Sequence, residues 1–202
     1  MPQVRDTLVW AGTLAAVLIA YSLPWVVNPG ASQTLNAYDL AEWMSLHPQV
    51  RAGSPSLLAP FLLRMLLVFT AGLIAFSPSR RFSPAWWLQV IGVSGIALAL
   101  LPAFEFFTSD FSDPNYRQQL SLTILTFVAG AIGLIFHHNH WSRWIIVSLM
   151  IAGVGSGLIG VAMGYSLMRD LGLPTGVGAG AVLFVVAYLF FGLQSSKRGN
   201  SR

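Results

Sequence analysis

Cysteine is absent from this 202-residue chain. Disulfide frameworks, iron–sulfur clusters and thiolate zinc sites all need sulfur ligands, so the sequence excludes these three classes of site. No other motif in the chain predicts a cofactor, and we expect none.

Charged residues are scarce as well. They make up 9% of the chain, whereas soluble domains carry about 25%. Hydrophobic residues make up 55%, and the mean hydropathy is +0.67. This leaves too little polar surface for a water-exposed fold, which excludes a soluble enzyme and a disordered tail. The composition predicts an all-α integral membrane protein whose first partner is the lipid bilayer.

The net charge of +4 does not indicate a nucleic-acid-binding protein. It comes from 11 Lys and Arg residues spread over the whole chain. Phosphate recognition needs these charges clustered in a patch or stripe, which the sequence lacks. We therefore interpret the basic residues as signals of membrane topology.

Six apolar stretches approach the roughly 20 residues that a helix needs to cross a bilayer. They predict a single membrane domain, a polytopic bundle of about six transmembrane helices. The first stretch is interpreted as a retained anchor, because its apolar run exceeds the about 7–15 residues of a signal peptide. The approximate spans are 7–27, 57–76, 85–107, 119–136, 144–165 and 175–193.

Basic residues in the connections set the orientation. Seven Lys and Arg fall at the two termini and in the second and fourth loops, against three in the other loops, so both termini are predicted to be cytoplasmic. No organelle signal is visible, and a plasma membrane, by default a bacterial inner membrane, is expected. The seven are Arg5, Arg80, Arg81 and Arg143, with Lys197, Arg198 and Arg202 in a basic tail over 194–202.

One long outer loop, 28–56, contains a predicted short amphipathic helix. Asn36 is a suitable N-cap, and residues 37–46 contain no Gly or Pro before Pro48 ends the run. Such a helix would lie flat on the membrane surface or on the mouth of the bundle.

Three residues of this helix are candidates for contacts in the outer loop: Asp39, Glu42 and Trp43. The two carboxylates are about one helical turn apart and would form an acidic mouth for a cation or a partner. A solvated helix face is the favoured explanation, since such exposed charges contribute only a few tenths of a kcal/mol.

Arg64 lies within the second predicted span, about seven residues from its outer end. A cation at that depth needs a carboxylate, water or a path to the interface. Glu105, near the outer end of the third span, is the predicted partner. The pair would either lock two helices together or line a polar pocket.

Histidines follow the fourth span as a cluster: His137, His138 and His140. Imidazole is a common metal ligand, but no Asp, Glu or Cys stands near to complete a site. We expect a polar turn at the level of the lipid headgroups and no metal.

Four glycines of the fifth span occur as two pairs four residues apart: Gly153 with Gly157, and Gly160 with Gly164. Small residues at this spacing let helix backbones approach closely in lipid. Packing against the sixth span is the simplest interpretation. A face for another subunit and a hinge are alternatives.

Catalytic motifs are missing. The chain has no HExxH, no Walker A loop and no nucleophile with an adjacent base, so we expect that it is not an enzyme. Two functions fit what remains. The first is a non-catalytic membrane subunit or scaffold bound to another membrane protein. The alternative is a small permease, or the transmembrane subunit of a transporter driven by a separate cytoplasmic ATPase. The cytoplasmic loops are short for an ATPase interface, which favours the first.

Overall fold

The computed structural model describes residues 2–29, 33–108, 111–136 and 141–198. Over this part of the chain the protein is predominantly helical, with 79% of its residues in helix. The elements are α1 (Pro2–Ser22), β1 (Val26–Asn28), β2 (Gln33–Leu35), α2 (Ala37–Leu46), α3 (Pro48–Ala52), α4 (Leu58–Phe76), α5 (Pro84–Ala99), α6 (Glu105–Thr108), α7 (Pro114–Phe136), α8 (Ser142–Asp170), β3 (Gly176–Val177) and α9 (Ala179–Arg198).

Among the described residues, four helices are long and apolar enough to cross a membrane. They are α4, α7, α8 and the part of α9 that ends at Ser196. They correspond to the second, fourth, fifth and sixth predicted spans. Their exposed apolar side chains, such as Ile124 on α7 and Ile151 on α8, would face lipid. The protein therefore has the composition and architecture of a membrane-spanning helix bundle.

The other two predicted spans, the first and the third, run past the ends of their helices. The helix of the third ends at Ala99, and residues 100–104 are not helical before α6 begins. Pro102 explains this end, because proline lacks a backbone N–H and disfavours helix at the residue before it. In the first predicted span the helix ends at Ser22, just before Pro24, and residues 26–28 form a strand.

Several helices begin at a proline that follows a capping residue. The hydroxyl of Ser83 accepts a hydrogen bond from the backbone N–H of Trp86 in the first turn of α5. Asp113 Oδ1 accepts from the N–H of Asn115 at 2.7 Å at the start of α7. Proline is suited to a first turn because the N–H that it lacks would have no partner there.

The chain divides into two compact units. The first unit consists of Met1–Leu66 with Gly153–Phe191, and the second of Leu67–Ala152 with Gly192–Arg202. Three helices, α4, α8 and α9, contribute residues to both units.

A small antiparallel sheet of order β2-β1-β3 lies in the first unit. The central strand β1 aligns Val26 with Leu35 of β2 and with Val177 of β3. Beside it, the N–H of Gly178 donates to the Trp25 carbonyl at 2.8 Å. A Cβ at Gly178 would collide with the carbonyl of Pro24, so this close backbone approach requires glycine. The sheet thus joins two loops that are about 150 residues apart in the sequence.

The core of the first unit is aromatic. Trp25 and Phe184 have ring centroids 5.3 Å apart, and Phe184 stacks on Tyr188 at 5.2 Å. Trp10 contacts Phe191 at 5.6 Å. All five side chains are at most 1% exposed, so α1, α9 and the start of β1 are packed together.

In the second unit, α5 packs against α7 and α7 packs against the end of α4. A Cβ at Gly130 would strike the side chain of Val93, and one at Gly133 would lie 3.0 Å from the backbone carbon of Ala75. The two glycines of α7 therefore set how closely these helices approach.

Candidate functional site

The helix α2 covers residues that the sequence predicted to be helical, and its first turn is capped as expected. Asn36 Oδ1 accepts from the N–H of Asp39 at 2.9 Å, and Asn36 Nδ2 donates to Asp39 Oδ2 at 2.7 Å. One face of the helix is fully covered by the first unit. Its buried residues are Ala37, Leu40, Ala41, Met44 and Ser45.

Glu42 of α2 forms a salt bridge with Arg64 of α4. The Nη2 of Arg64 lies 2.8 Å from the Oε1 of Glu42. The Arg64 side chain is 0% exposed, while that of Glu42 is 33% exposed. A fully buried guanidinium would be very costly alone, and the carboxylate neutralises it from the partly solvated side.

The sequence had pointed to Glu105 as the partner of Arg64 and had placed Glu42 on a solvated face. The structure puts Glu42 in that role, and Glu105 begins α6 in the second unit. An Arg64–Glu105 pair stays a prediction. The sequence did predict that Arg64, a cation deep in the bundle, needs a carboxylate as its partner.

Two tyrosines complete the polar cluster around Arg64. The hydroxyl of Tyr21 lies 3.5 Å from the Leu63 carbonyl, one residue before Arg64. Burial raises the pKa of Tyr38, and Glu42 raises it further through its negative charge and a side-chain hydrogen bond, against the opposing effect of Arg64. The phenol of Tyr38 is therefore held in its neutral form beside the carboxylate.

This cluster, formed by Arg64, Glu42, Tyr38 and Tyr21, is equipped to fix geometry and poorly equipped for acid–base chemistry. Arginine does not lose its proton in proteins, and a tyrosine with a raised pKa is a weak acid near neutral pH. Within the described ranges, no three His, Cys, Asp or Glu residues are arranged to hold a metal ion. The geometry is that of an ion pair that holds α2 on α4.

The face of α2 opposite its buried side carries Asp39, Trp43 and Leu46, which we call the α2 surface. Asp39 is exposed, Trp43 is half-buried with its ring 6.2 Å from that of His47, and Leu46 is 72% exposed. Two of the three predicted loop contacts, Asp39 and Trp43, thus lie on one accessible face, while the third, Glu42, is engaged by Arg64.

The four predicted packing glycines of α8 all contact other elements within the first unit, but mostly not the sixth span. Only Gly153 lies against α9, at Tyr188. A Cβ at Gly157 would lie 3.2 Å from Leu66, and one at Gly160 2.9 Å from Leu63, both on α4.

The last of them, Gly164, faces α2. A Cβ there would lie 3.2 Å from Leu40 Cδ2 and 3.3 Å from the Met44 sulfur. The glycine face of α8 therefore seats both α4 and the buried side of α2, and it places them where Glu42 and Arg64 meet.

A polar network in the second unit was missed by the sequence analysis. Ser79 Oγ donates to Gln89 Oε1 at 2.7 Å, and Gln89 Nε2 donates to the Ser77 carbonyl at 2.6 Å. Ser77 and Ser195 hydroxyls lie 2.7 Å apart, and Ser142 donates to the Phe76 carbonyl at 3.0 Å. All five polar side chains are at most 5% exposed. Single serines in apolar stretches gave no signal of this network, because only the fold brings them together.

A second missed feature is a buried polar stripe on α7. Its members recur at about one-turn spacing, and each is at most 5% exposed: Asn115, Gln119, Thr123 and Thr126. Spacing of three or four residues places them on one side of the helix, so a helical projection of the sequence would have found them.

The weak metal candidates His137, His138 and His140 lie outside the described residues.

No protein-family model matches this chain, and no curated protein or solved structure matches it.

Proposed function

We propose that this protein is a non-catalytic integral membrane subunit or scaffold that presents the α2 surface to another membrane protein. The observation that carries the proposal is the Arg64–Glu42 salt bridge, because it uses the buried cation of α4 to fix a surface helix. The helix is then held rigidly with its buried side on the bundle. A rigid face needs little ordering when a partner binds.

The exposed composition of the α2 surface supports this proposal. Leu46 is 72% exposed beside the half-buried ring of Trp43, and Asp39 supplies a charge at the other end. Aromatic and apolar side chains at the centre of a contact, with polar residues at its rim, are typical of protein interfaces.

The proposed topology has six spans, with α1 and α5 crossing as well as the four candidate helices. Hydrogen bonds between distant segments support it by a counting argument, because bonded segments must lie on the same side of the membrane. An even number of crossings must therefore separate β1 from β3. The helices α4, α7 and α8 make three, so α5 supplies the fourth.

The bond from Ser142 to the Phe76 carbonyl leads to the same count, since only α5 and α7 can cross between these two residues. For α1, support comes from its contacts with α9. Trp10 packs on Phe191, and a Cβ at Gly180 would lie 2.6 Å from the Leu23 carbonyl. The chain therefore runs beside α9 for 13 residues, or about 20 Å.

Six crossings place both termini on one side, and the positive-inside rule makes that side cytoplasmic. The sheet, α2 and the α2 surface then lie on the outer side. We propose a plasma membrane, by default a bacterial inner membrane, as the location. Partner contact through the α2 surface would accordingly take place outside the cytoplasm.

A second candidate function, a permease or the transmembrane subunit of an ATPase-driven transporter, is favoured by the polar stripe on α7. Buried Asn115, Gln119, Thr123 and Thr126 cost free energy in a membrane bundle unless they bond to neighbours or line a path. Thr123 and Thr126 donate to carbonyls of their own helix at 3.1 and 2.7 Å, and Asn115 and Gln119 also have interaction partners, which suits a structural role as well.

The test is quantitative mass spectrometry of proteins that copurify with a carboxyl-tagged chain from its native membrane in mild detergent. We expect a stoichiometric membrane protein that is lost from Leu46→Glu. The matched control is Phe111→Glu, because Phe111 is also exposed, at 63%, but does not belong to the α2 surface. A stoichiometric soluble ATPase would favour the transporter instead. Purification of the chain alone, or equal loss in both variants, would contradict the proposed subunit.

A further inference from the structure

A long apolar groove runs along the outside of α8 and α9 in the first unit. Its volume is about 990 Å³, at the upper end of the range for small-molecule sites. Its walls are mainly aliphatic, with Leu158 and Val161 on α8 and Val182 and Val186 on α9. Both helices are candidate membrane spans, so the groove lies where lipid chains surround the protein.

The polar groups of the groove are gathered at one end. Arg169, Ser166 and Thr175 line it where α8 ends and the chain turns toward β3. Along α8, Arg169 is 11 residues from Leu158 at the apolar end, a distance of about 16 Å. Half of the hydrocarbon core is about 15 Å. The groove therefore has the depth of one membrane leaflet, with its charge at the headgroup level.

The charge at this end is a single cation. Within the described part of the chain, the Arg169 side chain has no hydrogen bond and no ion pair. Its neighbour Asp170 lines a different cavity, of about 340 Å³, together with Gly53 and Ser54. The hydroxyl of Tyr165, which also lines the groove, is buried and finds no hydrogen-bond partner among the described residues. Hydrogen-bond donors without acceptors thus lie at the polar end of the groove.

We infer that this groove is a binding site for an anionic glycerophospholipid. One acyl chain lies along the aliphatic walls, and the phosphate meets the guanidinium of Arg169, with the hydroxyls of Thr175 and Ser166 as further donors. Arginine suits phosphate because its planar fork of N–H groups matches two oxygens. Basic sites between transmembrane helices bind lipid headgroups for the same reason. This site is independent of the α2 surface and of the proposed partner.

The experiment is native mass spectrometry of the full chain in detergent, titrated with dioleoylphosphatidylglycerol or with dioleoylglycerol. The two lipids carry the same chains, but only the first has a phosphate. We expect the phospholipid to bind about tenfold more tightly to the wild type, as for a charge-assisted contact. Arg169→Gln is expected to abolish that difference. The control Arg117→Gln should retain it, because Arg117 is also exposed at the start of a candidate span but lines neither cavity.

A second pair of variants tests the aliphatic walls. Val182→Trp fills the groove and is expected to weaken both lipids at least about fivefold, by steric exclusion. Leu183→Trp is the control, since Leu183 is the next residue and 48% exposed but does not line the groove. Equal lipid binding by the wild type and Arg169→Gln would overturn the proposal. A dimer that dissociates with Val182→Trp but not with Leu183→Trp would also overturn it, because a second copy would then be the occupant.

Discussion

Removing the guanidinium of Arg64 fully from water has a high free-energy cost. Breaking a buried ion pair leaves an uncompensated charge and costs roughly 3–5 kcal/mol, whereas replacing both members with apolar residues is often neutral. The pair is therefore better understood as a device that fixes α2 than as a source of net stability.

Glu42→Gln is expected to lower the free energy of unfolding by about 3 kcal/mol, the lower end of that range because Glu42 is one-third exposed. Asp39→Asn, on the exposed face of the same helix, should cost much less. The double variant Glu42→Leu with Arg64→Met should recover most of the loss. Unfolding in mixed micelles of dodecyl maltoside and dodecyl sulfate measures these differences.

The same assay distinguishes the two carboxylates proposed for Arg64. Arg64→Met and Glu105→Gln should be additive to within about 0.5 kcal/mol if Glu42 alone is the partner. A coupling well above that value between Arg64 and Glu105 would reinstate the pair that the sequence suggested.

Tyr38, beside the ion pair, makes the stability of the folded protein depend on pH in the alkaline range. Its pKa is raised in the folded state from an ordinary value of 10.0. The folded protein therefore keeps the phenolic proton at pH values where the unfolded chain has lost it, and stability falls as the pH rises above about 10. We expect a shallower fall for Tyr38→Phe, measured as unfolding free energy against pH. An identical slope in the wild type and the variant would contradict the raised pKa.

At the level of single residues, the sequence predicted the need of Arg64 for a carboxylate and the capping of α2 by Asn36. It did not identify Glu42, because the choice depends on how α2 lies over α4. That placement is set by Gly160 and Gly164 of α8, about 100 residues later in the chain.

Among the helices, α8 is the element against which α4 and α2 pack, since its glycine face lies against both. The GxxxG spacing predicted close packing but could not name the partner helix, because the pattern describes only one of the two surfaces. The prolines predict the ends of helices more clearly than the glycine spacing predicts the partner helix. Pro102 and Pro24 mark the ends of helical structure that hydropathy alone had extended too far.

Gly160→Ala is expected to destabilise the fold by about 1–3 kcal/mol, because the added Cβ would lie 2.9 Å from Leu63 Cγ and force α4 to shift. Gly155→Ala in the same helix is the matched control. It meets nothing within 4 Å, so it should be neutral or gain about 0.5–1 kcal/mol. Equal effects of the two variants on unfolding would show that the glycine face does not set the packing.

For the molecule as a whole, composition was enough to predict a membrane helix bundle, and four of the six expected spans are long and apolar enough to cross. The structural support for the proposed crossing of α5 could not be predicted from the sequence. It rests on β1–β3 pairing and on Ser142, contacts that no local sequence pattern contains. The buried network of Ser77, Ser79, Gln89, Ser142 and Ser195 in the second unit could not be predicted for the same reason.

The absence of cysteine allows a direct test of topology with single-cysteine variants. Ser54→Cys and Thr108→Cys are expected to react with a membrane-impermeant maleimide in intact cells, since α4 and α5 would return the chain to the same side. Ser196→Cys should react only after permeabilisation. If Thr108→Cys were protected while Ser54→Cys reacted, α5 would not cross and the six-span topology would be wrong.

The β1–β3 pairing also bears on how the protein is made. During synthesis β1 emerges about 150 residues before β3, and chains grow at about 5–20 residues per second. One edge of β1 therefore lacks its partner strand β3 for roughly 7–30 s of synthesis. The other edge can pair with β2 almost at once, because β2 follows β1 closely in the chain. In the proposed topology the sheet forms fully only after α8 has entered the membrane, so its formation would mark the point at which every span except α9 has been inserted.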